Sequence, residues 1–108
     1  MITADFKRER GALRLTLRGH AGYSEGDDIV CAAVSGIFYA LCGYLANIKP
    51  EGLRIHSIRA GEGDVECAES GEEAMKLVCI GLLQIALTYP GYLAVNNEAF
   101  SWKTRSPV

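Results

Sequence analysis

Residues 2–18 read ITADFKRERGALRLTLR, and apolar residues alternate with polar ones in both halves of this stretch. The apolar positions are Ile2, Ala4 and Phe6 in the first half and Leu13, Leu15 and Leu17 in the second. A period of two is typical of a β-strand, and the polar residues 8–11 between the halves suit a hairpin turn. We therefore expect two antiparallel strands, each of which buries one face.

The period changes to three and four after Asp28, which predicts a helix. Its apolar stripe consists of Val30, Val34, Ile37, Leu41, Tyr44, Leu45 and Ile48. Asp27 or Asp28 supplies the N-cap, and Lys49 before Pro50 marks the end of the helix. A second stripe holds small residues, which leave room either for another helix or for bulky side chains from the sheet: Ala33, Gly36, Ala40 and Gly43.

Two more strands are expected at residues 53–60 and 65–68, on either side of a turn at residues 61–64. The alternation of the third strand breaks around Ser57 and Ile58.

A second helix follows, for which Ser70 and Glu73 form a capping box. Pro90 ends it, and residues 92–96 resemble a last short strand. This helix is apolar on several faces, so we expect the sheet, the first helix and a second subunit to cover it. Leu83 or Leu87 would then lie at a homodimer contact.

The order of strand, strand, helix, strand, strand, helix and strand predicts an α+β fold. We expect a two-layer sandwich with a mostly antiparallel sheet and both helices on one face. The 108 residues suit a single domain, with residues 103–108 as a loose polar tail.

The composition bears on partners and location. Lys and Arg number 11 against 13 for Asp and Glu, a net charge of -2, which argues against a nucleic-acid partner. The longest apolar stretch, Leu77–Leu87, is interrupted by Gly81 and Gln84 and is shorter than the ~20 residues of a membrane span, so no membrane partner is expected. Residues 1–7, MITADFK, lack the features of an export signal, which favours a cytoplasmic protein.

The four cysteines are Cys31, Cys42, Cys67 and Cys79. None belongs to a C-x-x-C pair, which argues against a metal site, and no cofactor is indicated. A reducing cytosol argues against disulfides. We expect the last three to be small buried hydrophobic residues.

Cys31 differs because it lies in the first turn of the first helix, after the loop GHAGYSEGDD at residues 19–28. The positive end of the helix dipole favours a thiolate over a thiol there. The loop could bring His20 over Cys31 as an adjacent base, the arrangement that activates a nucleophile. The alternative is a solvated loop histidine and a cysteine at the edge of the core. The acidic residues in the loop would by themselves oppose a thiolate.

Gly19-His20-Ala21, followed by DIVCAAVS at residues 28–35, resembles the signature of the ribosomal-processing cysteine protease (Prp) family. The resemblance implies a small α+β homodimer with a catalytic dyad, in which Cys31 is the nucleophile and His20 the general base and acid. It implies cleavage of an N-terminal extension from a ribosomal protein, or of a capsid or scaffold protein in phage relatives. The segment between His20 and Cys31 is one residue shorter than in the commoner family form.

The resemblance also implies supporting roles around the dyad. Gly19 and Gly22 would let the loop move, Asp28 would cap the helix, and Ser35 would lie one turn below Cys31.

Binding groups are expected beside the dyad. The oxyanion would lie near the backbone amides that begin the first helix. Tyr23 and Phe38 could line a groove for an apolar substrate segment. His56 is expected on a strand surface, outside the site.

Two other functions remain open. The chain could be a non-enzymatic dimeric module that binds ribosomal assemblies. It could also be a thiol redox sensor. Cys42 would lie ~16 Å from Cys31 along the helix axis, at ~1.5 Å per residue, too far to resolve an oxidised Cys31 in one subunit.

Overall fold

A computed structural model describes residues 1–100 of the chain. The elements are β1 Ile2–Glu9, β2 Ala12–Arg18, α1 Ile29–Ile48, β3 Arg54–Arg59, β4 Glu62–Ala68, α2 Glu72–Thr88 and β5 Leu93–Asn96. A 3₁₀ turn, Glu69–Gly71, precedes α2. The predicted tail, residues 103–108, lies outside the described residues.

The first hairpin is tighter than expected. β1 extends to Glu9 and β2 begins at Ala12, so that the turn consists of Arg10 and Gly11 alone. Both have positive φ angles, 52° and 79°. Two consecutive residues with positive φ are the requirement of a type I′ turn, which matches the twist of the strands it joins.

The five strands form one sheet in the order β3-β4-β2-β1-β5. All pairs are antiparallel except β1 with β5. The alternating apolar residues of β1 and β2 are buried in one core with residues of both helices. The two-layer α+β prediction is therefore confirmed, with the element order expected from the sequence.

The second hairpin differs from the prediction at its turn. β4 begins at Glu62, because Gly63 and Asp64 already pair with β3 and with β2. The Asp64 carboxylate accepts two hydrogen bonds from Arg14 on β2, at 2.8 and 2.6 Å, which explains why an acidic residue lies buried in a strand. The predicted irregularity in β3 is confirmed as a register shift between Ile55 and Ser57.

Helix α1 buries a face that is rotated from the predicted one. Its buried residues are Val30, Val34, Phe38, Leu41, Cys42 and Leu45. The predicted core residues Tyr44 and Ile48 are 54% and 46% exposed. The reason is that Phe38 packs on the sheet: a Cβ on Gly63 would lie 2.9 Å from its ring.

The stripe of small residues on α1 is exposed in the single chain. A Cβ on Gly36 or Gly43 would meet nothing within 4 Å. The idea that these glycines accommodate bulky side chains from the sheet is therefore wrong.

Helix α1, and not the predicted stretch Leu77–Leu87, is the most membrane-like segment of the described chain. Its 20 residues are long and apolar enough to cross a bilayer. A core helix passes the same test, and one face of α1 packs into the core.

Helix α2 begins without the predicted capping box. Its N-cap is Gly71, and no side chain caps it. Gly71 packs closely on β4, since a Cβ there would lie 2.5 Å from the Cys67 sulfur. The 3₁₀ turn at this close contact shifts the helix start past Ser70. As expected, α2 is apolar beyond its buried face, with Leu77 and Leu87 73% and 62% exposed.

Candidate active site

Cys31 is the one thiol of the four that is not buried. It lies in the first turn of α1, and its sulfur accepts a hydrogen bond from the backbone N–H of Ala21 at 3.3 Å. Burial raises the pKa of the Cys42 and Cys79 thiols to about 11, and burial also raises the pKa of Cys67. The prediction that these three are buried hydrophobic residues is confirmed, and Cys31 remains as the candidate nucleophile.

Asp28 joins the loop to the helix that carries Cys31. Its Oδ1 accepts hydrogen bonds from the N–H groups of Val30 and Cys31, at 3.0 and 2.9 Å. Its Oδ2 accepts from Tyr23 and Ser24, at 2.9 and 3.3 Å. These bonds, the one from Cys31 above all, lower the pKa of the Asp28 carboxyl. The N-cap prediction is confirmed, and the contact with the loop is an addition that the sequence did not indicate.

Three of the amides near the start of α1 already donate hydrogen bonds to Asp28. Asp28 takes those of Val30 and Cys31 with its carboxylate and that of Ala32 with its carbonyl oxygen, at 3.0 Å. Asp28 therefore competes with an oxyanion for these three amides, and the expectation that the helix start binds the oxyanion stays a prediction. The amide that reaches the sulfur instead belongs to Ala21.

His20 follows β2 and is exposed beside the turn between β3 and β4. A Cβ on Gly61 would lie 2.9 Å from its Nε2 atom, so the ring lies directly over Gly61. No hydrogen bond joins His20 to Cys31 in residues 1–100, although both side chains line one cleft. The absence of a side chain at Gly61 is what admits the imidazole.

Gly19 is held in place rather than free to move. Its N–H donates to the Gly61 carbonyl at 3.0 Å. Its φ is 93°, and a Cβ there would lie 2.7 Å from the Met1 carbonyl oxygen. The expected role of Gly19 in loop motion is replaced by a positioning role. Gly22, with φ of 71° and open space around it, is compatible with motion.

The cleft has a volume of about 160 Å³. Ser35 lies beside Cys31 in its wall, as expected one turn along the helix, and buried Phe38 lies below. The rim of the cleft is charged, which was not predicted from the sequence. Glu62 accepts hydrogen bonds there from Arg59 at 2.6 Å and from Arg18 at 3.2 Å, which lowers the pKa of the Glu62 carboxyl.

Tyr23 does not share this cleft with Phe38. Its ring packs against Tyr89 and Tyr92, with centroid distances of 5.4 and 5.1 Å. The predicted groove between Tyr23 and Phe38 is therefore absent from the described structure, because the loop turns the tyrosine toward the end of α2.

His56 lies outside the cleft, on the exposed side of β3 as expected. Its Nε2 is 2.6 Å from Oε1 of Glu66 on the neighbouring strand. Within residues 1–100 no group of three or more His, Cys, Asp or Glu side chains is placed to hold a metal ion.

Comparison with known proteins bears on the family and on the fold. The family model described as cysteine protease Prp matches residues 1–94. A ribosomal processing cysteine protease Prp from Mycoplasma genitalium is 29% identical over 91 residues, which are 80% of this chain and 89% of that protein. The fold matches that of an essential ribosomal processing protease Prp from S. aureus, which was crystallised with a covalently linked product peptide. The TM-score is 0.72 and the sequence identity 23%, and the match covers 89% of this chain and 98% of that one. The fold also matches a Streptococcus mutans protein with a TM-score of 0.68 and 27% identity, over 89% and 92% of the two chains. The chain belongs to the Prp family of cysteine proteases.

Proposed function

We propose that the protein is an endopeptidase in which Cys31 and His20 form a catalytic dyad, and that it removes an N-terminal extension from a ribosomal protein. The observation that carries the proposal is the cleft that Cys31 and His20 line together. The other three thiols are buried, and the other histidine is paired with Glu66 outside the cleft.

The chemistry follows from the two side chains. His20 takes the proton of the Cys31 thiol, and the thiolate attacks the scissile carbonyl. As the tetrahedral intermediate collapses, the peptide C–N bond breaks and His20 gives its proton to the leaving amine. Water, deprotonated by His20, then hydrolyses the thioester. Catalytic hydrogen bonds are often long before substrate binds, so the missing His20–Cys31 bond is compatible with this reaction.

The oxyanion needs a donor close to the sulfur. The N–H of Ala21 meets this requirement, because it already donates to the sulfur at 3.3 Å. When a peptide is bound, this N–H can turn from the sulfur to the carbonyl oxygen that gains charge. The amides of Val30 and Cys31 are held by Asp28, so Ala21 is the better candidate.

The substrate is a peptide segment with an apolar side chain. Phe38, Val34 and Leu17 give the cleft an apolar lining, and its volume of about 160 Å³ suits one side chain rather than a folded domain. The relatives from Mycoplasma genitalium and S. aureus carry the name ribosomal processing protease, and the S. aureus protein was crystallised with substrate and product peptides. A phage capsid or scaffold protein is the alternative substrate of the same chemistry.

The assembly and location belong to the same proposal. The exposed Leu77 and Leu87 on α2 and the open stripe of small residues on α1 favour a homodimer. We propose a cytoplasmic protein, where ribosomal substrates are made. A non-enzymatic dimeric binding module on ribosomal assemblies is the alternative function.

A cleavage assay tests the proposal. The purified chain is incubated with a peptide in which an aromatic residue precedes a small one, the cleavage junction that the resemblance to the Prp family implies. A capsid-derived peptide is tested in parallel, and products are identified by mass spectrometry. We expect cleavage by the wild-type chain and by Cys42→Ala, a control in the same helix, and none by Cys31→Ala. Binding of the peptide without cleavage would instead support the binding module.

A further inference from the structure

Tyr23, in the loop that carries His20, packs against two tyrosines from a distant part of the chain, Tyr89 and Tyr92. The ring of Tyr23 meets those of Tyr89 and Tyr92 edge-on, with interplanar angles of 81° and 77°. Edge-to-face contact at these separations is the favoured geometry for aromatic pairs. We refer to Tyr23, Tyr89 and Tyr92 as the tyrosine clasp.

Two of the three residues are fixed to the body of the fold. The N–H of Tyr89 donates to the Ile85 carbonyl at the end of α2, at 2.9 Å. The carbonyl of Tyr92 accepts from the N–H of Ile2 at the start of β1, at 3.0 Å. The ring of Tyr23 therefore packs on two residues whose backbones are hydrogen-bonded to the end of α2 and to the start of β1.

The third residue lies in the middle of the catalytic loop. Tyr23 is three residues after His20 and two after Ala21, whose N–H touches the Cys31 sulfur. Its own N–H donates to Asp28, so its backbone is tied to the start of α1 while its ring is tied to the clasp. Gly22 lies between Ala21 and Tyr23, and a Cβ added to it would meet nothing within 4 Å.

We propose that Tyr23 is a positioning residue for the protease reaction, and that the tyrosine clasp holds the loop so that His20 and the Ala21 amide meet the Cys31 thiol. This inference rests on the proposed Cys31–His20 chemistry. Tyr23 acts through the loop and does not line the cleft itself. This positioning role replaces the predicted role of Tyr23 in lining a substrate groove.

Paired substitutions test the proposal in the full chain. We compare Tyr23→Ala with Tyr23→Phe, which keeps the ring, and with Tyr44→Ala, which removes an exposed tyrosine far along α1. Peptide cleavage is measured well below the unfolding temperature of each variant, so that a loss of stability alone does not lower the rate.

We expect a fall of about 10- to 100-fold in kcat for Tyr23→Ala, with a smaller change in KM, because misplacing a reacting group slows the reaction. Tyr23→Phe restores kcat to within about twofold of the wild-type value, and Tyr89→Ala reproduces the loss. A wild-type kcat in Tyr23→Ala would overturn the proposal.

Amide hydrogen exchange tests the clasp apart from the activity. We expect the amides of residues 21–24 to exchange faster in Tyr23→Ala than in Tyr23→Phe or Tyr44→Ala, because opening of the loop no longer breaks ring contacts. Equal exchange in all three would overturn the clasp even where a rate falls. A wild-type chain that cleaves no peptide would contradict the protease proposal instead, and the exchange result would still decide whether the clasp holds the loop.

Discussion

The backbone N–H of Ala21 donates to the sulfur of Cys31 at 3.3 Å, so the residue next to His20 in the sequence touches the candidate nucleophile. Ala21 is itself buried, and its side chain packs in the core beside this contact. The loop and the first turn of α1 are therefore connected at two points. The second is Asp28, whose carboxylate accepts hydrogen bonds from both segments.

The first prediction concerns the reactivity of the four thiols. Cys42 and Cys79, whose thiol pKa is about 11, hold very little thiolate at neutral pH, whereas Cys31 is accessible and lies at a helix N-terminus. We expect iodoacetamide to label Cys31 first in the folded chain and all four thiols after unfolding. Peptide mapping by mass spectrometry gives the rates. Equal labelling rates for all four thiols in the folded chain would show that Cys31 is no more reactive than the others.

The second prediction concerns Asp28 and acid. Because the folded-state pKa of Asp28 is lowered, its carboxylate contributes stability that is complete above the unfolded value of about 3.9 and is lost as the pH falls through the lower folded value. Asp28→Asn keeps one oxygen to cap α1 but has no second acceptor for the Tyr23 and Ser24 amides. We expect a lower unfolding temperature than in the wild type at pH 6, and a difference that shrinks toward pH 2. A difference that is constant over this range would contradict the assigned role.

The third prediction uses two glycines as a matched pair. Gly63→Ala places a Cβ 2.9 Å from the buried ring of Phe38, so we expect a loss of ~1–3 kcal/mol in the free energy of unfolding. Gly36→Ala meets open space within one chain in the middle of α1, so at a concentration where the chain is monomeric we expect a gain of up to ~1 kcal/mol. Urea denaturation measures both. The same sign for the two substitutions would contradict the packing described for α1.

The fourth prediction concerns assembly. Leu87 is 62% exposed on α2, and a charge there would oppose burial in a contact between subunits. We expect light scattering to give a dimer mass for the wild type at micromolar concentration and a monomer mass for Leu87→Glu. Thr3→Glu, on the polar face of the sheet, serves as the control and should remain dimeric. A monomeric wild type over that range would contradict the homodimer.

Local patterns in the sequence were enough to predict most of the fold. The alternation of apolar and polar residues from Leu13 to Leu17 matches the burial of one face of β2. The N-cap at Asp28 is likewise local, because its hydrogen-bond donors lie only two and three residues away. The errors lie where distant residues decide. Asp64 has the sequence character of a turn residue, and only the fold brings the Arg14 guanidinium to its carboxylate. The predicted capping box is absent because Gly71 packs on Cys67.

The candidate site shows the same division. The sequence pointed to Cys31 and His20 through their positions next to a helix start and a strand end. It could not place Tyr23, because its partners Tyr89 and Tyr92 are more than 60 residues away and only the fold brings them together. Nor could it show that the Val30 and Cys31 amides are occupied by Asp28, since that depends on which way the carboxylate turns.

The central claim is that His20 transfers protons for Cys31, and the turnover of His20→Ala at saturating peptide tests it most directly. His56→Ala is the control, because it removes the other histidine, which pairs with Glu66 outside the cleft. The account predicts that kcat falls ~10²–10⁴-fold in His20→Ala while peptide binding is retained, and that His56→Ala cleaves at the wild-type rate. A His20→Ala variant that keeps the wild-type kcat at saturation and only binds peptide more weakly would contradict it.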